Sequence, residues 1–163
     1  MFPAFLLGLL GGAGALAVLA LLFLRARAAA LMLPERRSAF ALDETVARLT
    51  AAVQAAGWVV QSVIELEKSI EKNGGGTVRP VRLVNICQAQ HAARIMNDDA
   101  ARRVSVLMPC TISVYEKSDG SVWVGAMNPG LIAPFFGGVV AAVMGGPVAR
   151  EQARFIAEVT GGP

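Results

Sequence analysis

Apolar residues follow three different rhythms along this chain. Residues 1–24 carry no charged side chain, and Arg25 and Arg27 follow at once. At ~1.5 Å rise per helical residue, that run reaches ~36 Å against a hydrocarbon core of ~30 Å, long enough to span a bilayer with some tilt. Farther on, Val46, Leu49 and Val53 recur at helical spacing. Asp43 is a candidate cap for a helix starting at Glu44, and Gly57 stops it. A third rhythm has period two: Ile112 and Val114 alternate with Thr111, Ser113 and Tyr115, and Val122 and Val124 flank Trp123. This predicts a hairpin of strands 104–115 and 121–126, turning at 116–120, where Gly120 suits a positive φ.

The remaining pattern predicts smaller elements. Residues 58–64 are rich in Val and Ile and read as a strand. Residues 65–72 form a short amphipathic helix that Gly74-Gly75-Gly76 ends. Residues 77–86 form a second strand, in which Pro80 implies an edge position or a bend. Residues 88–96 form a helix, and Pro147 opens a last helix through Glu158. The stretch 130–146 is uncharged, and Pro134, Gly137 and Gly138 break it. It is too short for a span, and three roles stay open: core packing, contact with a membrane surface or partner, or a pocket wall. Phe135 and Phe136 at a glycine-rich bend favour a surface that docks onto something apolar.

The uncharged amino-terminal run reads as a membrane anchor in preference to a cleaved signal. A secretory signal carries a positive region before a shorter apolar core, and here the charges lie on the far side. Arg25, Arg27, Arg36 and Arg37 all come after the run, which places the main domain in the cytoplasm by the positive-inside rule. Gly8 and Gly12 form a Gly-xxx-Gly pair that lets two such helices approach closely. The expected organisation is a transmembrane helix at 1–24, a basic juxtamembrane linker at 25–42 and one domain at 43–160.

Roughly 120 residues remain beyond Ser38, enough for one domain with one core. The net charge of +3 is modest, and the arginines beside the run suit anionic headgroups. No basic, aromatic-interleaved patch points to nucleic acid. Two cysteines are too few for a disulfide scaffold.

Chemistry concentrates around those cysteines. Cys87 and His91 are four apart and share a face if a helix starts near Gln88. Met108 and Cys110 are two apart and share a side of a strand. If helix and strand pack together, the four converge, and soft sulfur with one imidazole suits copper(I), zinc or haem iron. The same residue types also serve as ordinary core, and their spacing matches no standard zinc pattern. Thiol chemistry is a further reading, because a helix amino terminus favours a thiolate at Cys87. Nucleophile-elbow and phosphate-loop motifs are absent from the sequence. Asp98-Asp99, beside Arg102 and Arg103, reads as a solvated turn.

The run Pro80 to Cys87, then Ala92-Ala93-Arg94-Ile95, then Leu107-Met108-Pro109-Cys110 continuing to Val114-Tyr115-Glu116, resembles the domain-of-unknown-function 302 family. Asn128-Pro129-Gly130-Leu131 and Phe136-Gly137-Gly138-Val139-Val140-Ala141 resemble its membrane-anchored branch. The family often places a Pro shortly after its helix-opening Cys, whereas Gln88 and Ala89 come after Cys87 here. The resemblance implies an α+β domain, a sheet with helices packed on it, similar to the TATA-binding-protein-like architecture. It also implies self-association, and no assigned activity. The expected function is therefore association of a membrane-anchored domain, as a homodimer or a subunit of a membrane complex. Gly8, Gly12, Phe135, Phe136, Gly137 and Gly138 are the expected contacts. The alternative is a redox or cofactor-binding protein using Cys87, His91, Met108 and Cys110.

Overall fold

A computed structural model describes residues 16, 18–25 and 27–161. Five antiparallel strands form one sheet: β1 (Glu35–Arg37), β2 (Val59–Glu65), β3 (Val81–Cys87), β4 (Cys110–Glu116) and β5 (Val122–Ala126), in the order β1-β5-β4-β3-β2. The helices are α1 (Leu42–Ala55), α2 (Leu66–Lys72), α3 (Ala89–Met96), α4 (Pro129–Ile132), α5 (Gly138–Val143) and α6 (Ala149–Thr160). The expected α+β class is observed. One sheet face is apolar because its alternating residues, Val84, Ile86, Ile112, Val114 and Val124, are essentially fully buried. Helix α1 covers that face and packs on α6, contributing Leu49 and Val53.

Several local expectations change. Helix α1 starts at Leu42 with Ala41 as its cap, so Asp43 lies inside the first turn and favours the positive end of the helix dipole. Pro80 precedes β3, which is central and paired on both sides. There Pro80 needs no donor, and its carbonyl accepts the Glu116 N–H at 3.1 Å. Residues 104–107 belong to a 3₁₀ helix, Arg102–Leu107, and the strand begins only at Cys110. Pro147 does not open α6. It sits inside a π turn, Met144–Val148, that joins α5 to α6.

The segment 25–42 is more than a linker. Glu35–Arg37 pairs with Trp123–Gly125 as β1. Beyond it, the buried Ser38 hydroxyl bonds Thr45 Oγ1 at 2.7 Å and donates to the Val159 carbonyl at 3.0 Å. That network ties β1 to both α1 and α6.

Most of the expected span 1–24 lies outside the described residues, as do Gly8 and Gly12. Residues 18–25 and 27–32 are helical, with Leu19 62% and Phe23 61% exposed. Among the described residues, no helix is long and apolar enough to cross a membrane.

The 130–146 stretch divides between roles. Ala133, Val140, Val143 and Met144 are buried in the core, while Phe135 is 85% exposed. Gly137 and Gly138 have φ of +66° and +51°, so a side chain at either would be strained.

Candidate functional site

Strand β3 ends at Cys87, and the next residue starts a helix. The Gln88 side chain accepts the His91 backbone N–H at 2.8 Å, capping α3. The cap places Cys87 at the amino terminus of α3 and His91 in its first turn. Across the sheet, Met108 and a cis Met108–Pro109 peptide lead into Cys110, the first residue of β4. Ile86 and Cys110 stand opposite one another in the β3–β4 register. Cys87 is one residue beyond Ile86, so strand alternation directs its side chain to the face opposite that of Ile86 and Cys110, and a bond between the two thiols needs the chain to turn at the end of β3. Both are free thiols.

Cys87, His91, Met108 and Cys110 all line one cavity, together with Trp58 and Met144. Its volume is about 30 Å³, room for one or two waters, since one water needs ~10–15 Å³. A haem is a ligand of the size that occupies ~300 Å³ or more, so it does not fit. Among the described residues, no group of three or more His, Cys, Asp and Glu could hold a metal ion. His91 has another partner: its Nε2 lies 3.6 Å from Glu151 Oε1.

Glu151 is the residue that organises the cavity wall. Its second oxygen accepts the indole N–H of Trp58, a side chain 4% exposed. Trp58 packs edge-on against His91 and Phe155, with centroids 6.1 and 5.5 Å apart. Trp58 and Glu151 lie 93 residues apart, and neither is among the sequence-predicted site residues. Trp58 comes directly after the helix-stopping Gly57, and that position gives no sign of a carboxylate partner. Met144 reaches the cavity because the π turn widens the helix there.

The thiols differ in environment. Burial foremost, and then the nearby Cys87, push the Cys110 pKa up to about 11. Cys110 therefore holds about 100-fold less thiolate at neutral pH than an ordinary cysteine. Cys87 stands just before the amino terminus of α3.

A family model described as Domain of unknown function DUF302 matches residues 24–159. No curated protein matches the chain. Among solved structures, the crystal structure of an uncharacterized conserved DUF302 protein from Bacillus stearothermophilus is similar, with a TM-score of 0.69 at 18% sequence identity. The match covers 79% of this chain and 98% of that one. At that identity the likeness concerns the fold. Neither comparison singles out a membrane-anchored branch, and the family match begins where the uncharged run ends. With more than four-fifths of its length matched, this chain belongs to the DUF302 family.

Proposed function

We propose that this DUF302 chain is a membrane-anchored thiol domain in which Cys87 and Cys110 cycle between dithiol and disulfide. The observation that carries the reading is that both thiols line one small cavity. Cys87 is the attacking thiol. Its thiolate attacks a sulfur of a partner disulfide, forming a mixed disulfide and releasing one partner thiolate. Cys110 then loses its proton to solvent and attacks the Cys87 sulfur. The Cys87–Cys110 bond closes, and the second partner thiolate leaves. The Cys110 pKa, raised foremost by burial, makes this second step the slower one at neutral pH.

Anchoring is supported by the uncharged run 1–24 and by the exposed apolar side chains of the described helical residues beyond residue 15. The arginines after the run favour a cytoplasmic domain, where exchange-active disulfides are transient and not structural.

The test is titration of the reduced full chain with glutathione disulfide, then mass spectrometry under acid quench. The expected wild-type product is an internal disulfide. Cys110→Ser accumulates a glutathione adduct at Cys87, and Cys87→Ser accumulates none. Two alkylatable thiols after full titration would overturn the reading.

A second reading, self-association, is favoured by β2. It is an edge strand of seven residues with Val59 57% exposed, a ready template for pairing with another copy. Phe135 and Phe136 offer a separate apolar contact. Val63→Lys on β2 should then convert a dimer to a monomer in light scattering, with the thiol titration unchanged.

A further inference from the structure

A second cavity lies on the other side of α6, and nothing about the cysteines involves it. It holds about 370 Å³, in the range of clefts that take small molecules. Arg36 and Arg154 line it, and no acidic residue does. Its walls are otherwise mostly apolar, with Ala126, Met127, Pro129 and Ile156 among them. The Gln152 side chain, 6% exposed, closes the floor by donating to the Met127 carbonyl at 2.8 Å.

The rim of this cleft is bonded to the amino-terminal helix. The Asn128 N–H donates to the Met32 carbonyl at 2.8 Å, and its side-chain amide donates to the Leu31 carbonyl at 3.2 Å. Asn128 lines the cleft, as does Pro34, two residues after that helix ends. The eight residues from Arg25 to Met32 cover ~12 Å at helical rise. The headgroup layer takes up ~5–8 Å of that distance. Leu131 and Phe135, 39% and 85% exposed, follow Asn128 closely in the chain.

We propose that this cleft binds one acidic phospholipid of the leaflet around the anchor. Its phosphate lies between Arg36 and Arg154, and an acyl chain tracks the apolar wall under Met127 and Ile156. Charge complementarity selects the lipid's sign, and the bond between rim and helix fixes the cleft beside the bilayer. The inference rests on the anchor half of the proposed function and is independent of the cysteines.

The experiment is native mass spectrometry of the full chain in detergent, with phosphatidylglycerol or phosphatidylcholine added at equal concentration. One phosphatidylglycerol should remain bound at collision energies that strip phosphatidylcholine. Arg154→Gln should lower its retention about tenfold. Ala153→Trp, which fills the cleft from an exposed position, should abolish it, while Arg154→Lys should keep most of it. Equal retention of the two lipids, or retention unaffected by both Arg154→Gln and Ala153→Trp in folded protein, overturns the proposal. Failure of the anchor reading shows itself differently, as release of the wild-type chain from membranes by alkaline carbonate.

Discussion

Helix α6 separates two cavities built on opposite lines. On one side Glu151 faces Trp58 and His91, and the cavity is about 30 Å³ and sulfur-lined. On the other side Gln152, the next residue, faces Met127, and the cleft is about 370 Å³, with two arginines in its lining. Adjacent helical positions point ~100° apart, so one helix can serve both without either sharing a side chain. The small cavity is held by long-range contacts among buried groups. The large one is held by a single buried amide and by backbone. Substitutions on the first side should therefore cost stability and alter thiol chemistry. Those on the second should be silent in both.

The strongest way to break that contrast is Phe155→Ala. Phe155 is 3% exposed and braces Trp58, so its loss should cost ~3–5 kcal/mol in denaturant unfolding. A loss under about 1 kcal/mol would mean that the small cavity is not a packed region.

The contrast sharpens with pH. Cys110 has a folded pKa raised from 9.0 to about 11, so the stability that its protonated form contributes is fully present below pH 9. It is lost as pH rises through 11, to a total of roughly 2–3 kcal/mol. Chemical unfolding of wild type and Cys110→Ala between about pH 8 and pH 11 measures this, and parallel curves would contradict it. Alkylation of Cys110 in the folded chain should accelerate over the same interval.

Glu151→Ala should come next, at ~1–3 kcal/mol, because it leaves the buried Trp58 N–H without an acceptor. It should also change the rate at which the two thiols react with an alkylating reagent. An unchanged rate would separate His91 and Glu151 from the cysteine chemistry. Smallest is Ala153→Ser on the exposed cleft side, within ~0.5 kcal/mol, with calorimetry as the check.

The sheet was legible in the chain wherever burial had a local period. The alternation of Ile112, Val114, Val122 and Val124 predicts the hairpin, and Leu49 and Val53 predict the buried side of α1. Strand β1 was not legible, because Glu35-Arg36-Arg37 has no apolar alternation and is held by pairing with Trp123–Gly125. Nor was the end of the hairpin strand, because the apolar Val104 and Leu107 serve equally in a 3₁₀ helix. Within the small cavity, Cys87, His91, Met108 and Cys110 were legible as residue types. The partners that set their environment, Trp58 and Glu151, meet only through tertiary packing. The arginine cleft left no local mark either, since Arg36 and Arg154 come together only when β1 docks beside α6.

The π turn at Met144–Val148 makes this chain sensitive to length in one place. It accommodates one more residue than an α-helical turn would. Deleting Pro147, which also removes the residue that cannot donate to the helix ladder, would let the run from Gly138 to Thr160 relax into uninterrupted α-helix. The part of the helix before the deletion would then rotate by ~100° about the axis relative to α6. Val140 and Val143 would swing out of the core, and Met144 out of the cysteine cavity. Loss of one residue at this turn should therefore be far more damaging than loss of one in the 73–79 loop, although both segments are rich in glycine.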